Sequence, residues 1–486
     1  MIEVVCGVDT STQSCKVEFF SLEDGRRIAG SSAAHPPVSP PRSEQDPHAW
    51  WRAFVEAFRA TFAAAGNVQV RAISVAGQCH GMVPLDAQGE VIRDAKLWND
   101  TTTNAELLSL TERIGAEQLL ASTGSLPTAA FTISKVAWLA QHEPDNFARL
   151  ATILLPHDYL TFRLTGAYAT DRSEASGTGY FDPAENRYLL EHLALIDSSK
   201  NWAGMLPQVL PADGVAGSLT PAALAELGLT EPVIVTAGGG DQHASALGLG
   251  IVEGDAVFAF GTSGVVYSTT PDPVRDLSGF VNGVANLTGG FLPLVCTLNG
   301  AKVIDTFARL MGVTHDELSA LALGAGGSGP VLAAFLDGER TPNRPLAAGL
   351  LADLTTDTTR EELARAAYEG VVFGLVAGLE HMVRCGVRTD GEVIAIGGAT
   401  QSHATTQILA DALGKPVHLV DTPQAVARGA AVQAAAVLRG EDVATLAANW
   451  RPERQVAAVP RALDSTDRYA RYTQVAASDS LDRARP

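Results

Sequence analysis

The chain shows no cysteine pairing pattern, no basic block, no apolar run of membrane length and no P-loop. Its five cysteines (Cys6, Cys15, Cys79, Cys296, Cys385) are odd in number and widely spread, without a C-x-x-C or a histidine at zinc-finger spacing. That excludes a disulfide framework and points to reduced cytoplasmic thiols. Basic residues number 35 against 54 acidic ones, a net charge of −19 with no Lys/Arg cluster. Such a surface repels nucleic acid and anionic membrane, so a phosphate ligand needs local donors and a metal counter-ion. The longest helical apolar stretch, Val371 to Met382, is broken by Glu380 and His381 and is too short to cross a bilayer. Met1-Ile2-Glu3 runs directly into strand-like sequence, without a charged leader. Gly414-Lys415 leads into Pro416 and has no glycine five places earlier, which removes P-loop phosphotransfer. Gly324 to Gly329 spells G-x-G-x-x-G, but Pro330 and an apolar strand follow where a dinucleotide site needs a helix.

What is present is a chain of 486 residues, 46% apolar, longer than one hydrophobic core usually organises. Two domains with a cleft between them are expected, with the boundary near Asp241 to Gly254: residues 1–243, residues 244–450, and a polar, partly helical tail 451–486 whose last dozen residues fray. Val4 to Val8 reads as a buried strand, and Cys15, Val17 and Phe19 alternate with Lys16 and Glu18 as a half-buried partner. Asp46-Pro47 opens a helix whose apolar face runs from Trp51 to Phe62, and Gly66 stops it. Val68 to Val75 is a strand ending at Gly77-Gln78-Cys79-His80-Gly81. From Ala256 the opening pattern recurs as strand, Gly261-Thr262-Ser263-Gly264, strand. Thr359 with Glu362 forms a capping box for a long helix in which Gly370, Gly374 and Gly378 repeat, a spacing that in a soluble domain means close backbone packing.

Turns of glycine and small hydroxyl residues gather backbone N–H groups into a nest that binds phosphate without a cation. Three candidates stand out: Gly7 to Lys16, Gly261 to Gly264, and Gly397-Gly398-Ala399-Thr400 after the strand Val393 to Ile396. Between the first two lies Gly238-Gly239-Gly240-Asp241-Gln242. Asp241 is either a helix N-cap after three glycines or a proton acceptor, and the two readings stand about even on its residues alone. Asp9 is a ligand-binding acid or the holder of an Asx turn. His80, taken alone, is more often a satisfied half-buried histidine, but its place at a strand mouth points to a sugar contact.

Taken in order, these elements, together with Ser43 to Pro47, Leu97-Trp98-Asn99-Asp100 and Leu336 to Pro342, resemble the FGGY family of carbohydrate kinases across nearly the whole chain. The resemblance implies an α/β, two-domain actin-like ATPase and sugar-kinase (ribonuclease H-like) fold with its active site in the interdomain cleft. It also implies transfer from ATP, with Mg²⁺, to a small sugar, D-xylulose being the acceptor of the most similar members; ribulose, a pentitol such as arabitol, or a silent sugar-binding regulator are the rivals. A homodimer is compatible with this reading. In it Asp241 is the general base, and Asp9 with Asp241 positions the metal. Gln78, Cys79, His80, Trp98, Asn99, Asp100 and Gln242 surround the sugar. Thr10, Ser11, Thr12, Gln13, Lys16, Gly261, Thr262, Ser263, Gly397, Gly398, Ala399 and Thr400 meet the nucleotide. The chain departs from the family at three places. Ser11 stands where many members have glycine, Thr101-Thr102-Thr103 where an arginine commonly follows the acid, and Cys79 where methionine is usual. The last would introduce an oxidation-prone thiol.

Overall fold

Ile2–Thr10 and Val68–Gly77 carry apolar residues at nearly consecutive inner positions, as strands covered on both faces require, and they pair in parallel with Thr10 beside Gly77. The computed structural model describes residues 1–422, 424–461 and 465–482 and places these strands at the centre of a mixed sheet. Ser14–Ser21 and Arg27–Ala34 extend the sheet on one side, Ile234–Thr236 and Val215–Ser218 on the other. Gly239–Gly240 joins the far end of Val68–Gly77, Gly240 beside Gly77. The helix Pro47–Ala65 starts where the Asp46 carboxylate accepts the His48 N–H at 2.9 Å, and it buries Trp50, Phe54 and Phe58 against the sheet.

A second sheet repeats this arrangement. Ala256–Phe260 lies antiparallel to Gly264–Ser268 and parallel to Val393–Ile396, as Ile2–Thr10 does to Ser14–Ser21 and Val68–Gly77. Its other strands are Asn282–Ala285, Phe291–Thr297, Val417–Val420 and Arg454–Ala458. The helix Arg360–Arg384, capped by Thr359 and Glu362, crosses its core. This helix is longer than the apolar stretch read from sequence, and by length and composition alone it could cross a membrane. Its apolar window is 67% buried inside the protein, which makes it a core helix. A Cβ on Gly378 would come within 2.9 Å of Val266 and Val295, so the glycine spacing serves close packing. Arg365, Glu369 and Arg468 form a buried ion cluster that ties the helix Thr466–Ala476 to it, Arg365 Nε at 2.6 Å and Arg468 Nε at 2.8 Å from the Glu369 carboxylate. Arg365 and Arg468 also donate to carbonyls of Ala325, Gly326 and Gly329, which gives the glycine-rich stretch a structural role.

Two sequence expectations change. The last dozen residues do not fray as far as they are described: Leu481 is buried and Asp482 pairs with Arg344 at 2.7 Å, while 483–486 lie outside the described residues. The helix Ala425–Arg439, late in the chain, covers the first sheet rather than the second, packing on Val5, Ala72 and Ala76. It meets the helix Asp241–Gly248 so closely that a Cβ on Gly429 would fall 1.8 Å from the Ala244 carbonyl oxygen.

Candidate active site

Parallel pairing brings the carboxyl ends of the central strands to one edge of the first sheet, where ligands of α/β proteins sit. Asp9, Gln78 to His80 and Asp241 all fall at that edge. The hairpin register sets Asp9 opposite Lys16, whose Nζ lies 3.0 Å from Asp9 Oδ2, and the Ser11 hydroxyl donates to the other oxygen. The Asx-turn reading of Asp9 is thereby replaced: the residue is in the strand, and its carboxylate braces the turn from below. At the tip the Thr12 hydroxyl donates to Gln78 Oε1 and accepts from Trp98 Nε1, both at 3.0 Å. A cavity of about 680 Å³ opens there, lined by Ser11, Thr12, Gln13, Lys16, Trp98 and Asn99.

Trp98 and Asn99 therefore gather around the first turn. Asp100 does not reach the cleft. It is fully buried, and its oxygens accept from the Ser43 N–H at 2.9 Å, Lys96 Nζ at 3.2 Å and the Thr102 N–H at 2.9 Å. Thr102, at the place of the missing arginine, closes this loop onto Asp100 and Lys96. Thr10 also stays inside its strand, 1% exposed, where its carbonyl accepts from the Gln78 N–H at 3.0 Å.

Gly240 is the N-cap of Asp241–Gly248 and Asp241 its first helical residue, so the capping reading of Asp241 does not hold. Its Oδ1 accepts from the Gln242 N–H at 2.7 Å and from Cys79 Sγ at 3.7 Å, and through that N–H Gln242 supports the carboxylate. Burial, and next the charge of Asp9, push the Asp241 pKa up to about 7, against the pull of those two donors. A carboxyl poised there suits a general base at neutral pH. Burial, with Glu174 and Asp241 nearby, drives the Cys79 thiol well above its ordinary value, which works against the thiolate that oxidation of this residue would need.

His80 adopts a left-handed backbone, φ +68°, and its ring stacks on Phe131 at 4.8 Å. Lys135 holds that stack in place by donating to the carbonyls of Ala129, Ala130 and Phe131. His80 Nδ1 lies 2.8 Å from the Gly177 carbonyl, which can only accept, so Nδ1 carries the proton and Nε2 offers a lone pair. Burial, then the charge of Lys135, lowers its pKa to about 3 and keeps the ring neutral. Behind Cys79 lies a group the sequence reading assigned no role: His157, Asp158, Asp171 and Glu174, all buried. His157 Nε2 is 3.2 Å from Asp158 Oδ1, and a Cβ on Gly240 would come 2.7 Å from Glu174 Oε1. At Pro156 to Leu160 the signal was His157 and Asp158 between apolar residues, whereas Thr170 to Ser176 is polar at every position but Ala175 and carries no local sign of its burial.

Across the cleft Gly261, Thr262 and Ser263 stand exposed at the end of Ala256–Phe260. Gly397, with φ +99°, abuts them, and a Cβ there would sit 2.5 Å from the Phe260 carbonyl oxygen. Gly398 and Ala399 line a cavity of about 470 Å³ together with Ala301, Ile304, His315 and Tyr368. The Thr400 hydroxyl turns back to the Gly397 carbonyl at 2.7 Å. The other lining residues come from helices remote in sequence, which no local pattern marks. Among the described residues no three His, Cys, Asp or Glu side chains form a metal cage. Asp9 and Asp241 suit a magnesium ion that takes its remaining ligands from phosphate and water.

Two matched sheets that face a shared cleft, with glycine and hydroxyl turns on both sides and a poised carboxyl between them, define a sugar kinase of the actin-like ATPase fold. The chain belongs to the FGGY family of carbohydrate kinases, matching its N-terminal domain over residues 4–248 and its C-terminal domain over 256–438. It is 40% identical to the xylulose kinase of Streptomyces rubiginosus over 96% of this chain and 95% of that one. To the xylulose kinase of Escherichia coli K12 it is 34% identical, over 84% of each. The crystal structure of xylulose kinase from Bifidobacterium adolescentis superposes with a TM-score of 0.87 at 36% identity, covering 98% of this chain and 99% of that one.

Proposed function

We propose that this enzyme transfers the γ-phosphoryl group of MgATP to the terminal hydroxyl of D-xylulose, giving D-xylulose 5-phosphate. The observation that carries the reading is Asp241, a carboxyl with its pKa near 7, set beside Cys79 and His80 and between two donor turns. The likeness to xylulose kinases over the length of the chain supplies the acceptor.

In this account the sugar lies against Cys79 and His80. His80 Nε2 accepts a hydrogen bond from one sugar hydroxyl, because its Nδ1 proton is engaged by Gly177. Asp241 takes the proton of the attacking hydroxyl as its oxygen closes on phosphorus, a contribution of about 10²–10⁴-fold. Ser11 to Gln13 and Lys16 on one side, and Gly261 to Ser263 on the other, align the phosphates, with Gly397 to Thr400 and the adjoining cavity taking the adenosine. Mg²⁺, when bound, neutralises phosphate charge, and Asp9 with Asp241 would hold it. The division into residues 1–243, 244–450 and the tail 451–486 belongs to the same proposal. The glycine-packed pair Asp241–Gly248 and Ala425–Arg439 is the seam on which the first two would rotate. Closure excludes water, which would otherwise be phosphorylated in place of sugar.

The test is direct. The protein is incubated with MgATP and D-xylulose, and the product is followed by ³¹P NMR beside ADP release. A phosphomonoester appearing in equal amount with ADP is expected. ADP with free phosphate, or no turnover, would sink the reading.

A further inference from the structure

The segment Leu336-Asp337-Gly338-Glu339-Arg340-Thr341-Pro342 has no part in the chemistry above. Buried Glu339 fixes it: one oxygen accepts from the Leu298 N–H at 2.5 Å and the Arg340 N–H at 2.7 Å, the other from Asn299 Nδ2 at 2.8 Å. Asn299 Nδ2 also donates to the Gly338 carbonyl at 2.8 Å. The residues that follow Asn299, Gly300 and Ala301, donate their backbone N–H groups to the Thr262 and Gly261 carbonyls. Arg340 is thus anchored to the same backbone that braces the second phosphate turn.

Its guanidinium also acts on the other half. Burial dominates at both His80 and the Cys296 thiol. Behind it, the charge of Arg340 helps lower the pKa of His80, after Lys135, and opposes the rise at Cys296. His80 follows a strand of the first sheet and Cys296 lies in the second, so the Arg340 charge is within electrostatic reach of both halves. Other cations near the cleft are engaged: Lys16 with Asp9, Lys96 with Glu44 and Asp100, Lys135 with three carbonyls. Among the described residues no carboxylate or carbonyl pairs with the half-buried Arg340 guanidinium. Its planar fork of donors matches two oxygens of a phosphoryl group, and an unpaired charge in a partly desolvated cleft is unfavourable until such a ligand arrives.

We propose that Arg340 is a catalytic residue supplied by the second half, binding the phosphoryl group in transit. The proposal rests on the kinase reading above. In the step, the sugar oxygen bonds to the γ-phosphorus and the bond from that phosphorus to the bridging oxygen breaks. The electron pair of that bond leaves with ADP, and the hydroxyl proton passes to Asp241. Arg340 holds two of the three oxygens of the phosphoryl group during the transfer, which a lysine cannot do in bidentate fashion.

The experiment compares the parent with Arg340→Ala and Arg340→Lys in two assays. In turnover with D-xylulose, R340A should lose about 10²-fold or more in kcat with KM for the sugar within about threefold, R340K should recover little, and added guanidinium should restore R340A at least about tenfold. In calorimetry with ADP, adding beryllium fluoride as a γ-phosphoryl mimic should tighten binding to the parent at least about tenfold and leave R340A unchanged. Unchanged ADP affinity in R340A shows that the variant is folded. Equal tightening in both proteins, a kcat within about threefold of the parent, or a loss confined to sugar KM would overturn the role of Arg340. A parent that phosphorylates no sugar would sink the kinase reading instead, and the fluoride arm would still report on Arg340.

Discussion

Replacing Asp241 by asparagine separates the two things that its environment does. The folded protein raises this carboxyl from 3.8 to about 7, chiefly by burial and then by repulsion from Asp9. A carboxyl whose pKa rises on folding destabilises the folded state: the penalty is absent below pH ~4, grows as pH rises from there to about 7, and is constant above. About three units, at about 1.4 kcal/mol each, set a ceiling near 4 kcal/mol at pH 8. Partial exposure of the side chain brings the expected value to roughly 2 kcal/mol. Asparagine keeps the shape and loses the charge. Asp241→Asn should therefore be more stable than the parent at pH 8, by a few degrees in thermal midpoint, and the gap should shrink at pH 5 and vanish below pH 4. The same variant should lose at least about 10²-fold in kcat, because an amide cannot accept the proton. In the parent, kcat/KM for the sugar should fall about tenfold per pH unit below about 7, as the base becomes protonated. Thermal midpoints across pH 4 to 8 and initial rates of ADP release check both halves. A variant less stable than the parent at pH 8, or one turning over within a few-fold of it, would refute the reasoning.

His80→Ala should reduce kcat/KM for D-xylulose by roughly 5–150-fold, the worth of about 1–3 kcal/mol for a lost polar partner, while KM for ATP moves less than about threefold. Equal losses for both substrates would remove His80 from the sugar site. Small-angle scattering should show a smaller radius of gyration with D-xylulose plus a non-hydrolysable ATP analogue than with neither, and an unchanged radius would count against closure. Glu369→Gln leaves Arg365 and Arg468 without their shared carboxylate and should destabilise the protein by about 3–5 kcal/mol, with early loss of hydrogen-exchange protection over Thr466–Ala476. Unaltered protection there would mean that apolar packing, led by Tyr472 and Val475, holds the helix.

Much of the site was legible because it depends on local order. The first hairpin was legible as strand, polar turn, strand, although its turn is shorter than the sequence suggested and leaves Asp9 in the strand opposite Lys16, and strand ends followed by glycines put Gln78 to His80 and Gly240-Asp241 at one edge. The caps at Asp46 and Thr359 are likewise set by residues three positions apart or fewer. Asp100 was misplaced because its partners, Ser43 and Lys96, meet it through the pairing of Glu44–Gln45 with Ala95–Lys96, which no window around Asp100 displays. Ala425–Arg439 looked like part of the second half, since an alanine-rich helix carries no mark of the sheet that it covers. Arg340 shared this obscurity: its neighbours come from Leu298 to Ala301 and from the far side of the cleft.

The central claim is that the cleft phosphorylates D-xylulose in preference to its relatives. Measuring kcat/KM for D-xylulose, L-xylulose, D-ribulose, L-ribulose, D-arabitol, xylitol and glycerol with one preparation and saturating MgATP tests it most directly. The account predicts that D-xylulose leads every other acceptor by about tenfold or more, since each mismatched hydroxyl leaves a polar group of the site unpaired. Any other acceptor ahead of D-xylulose by that margin would contradict it.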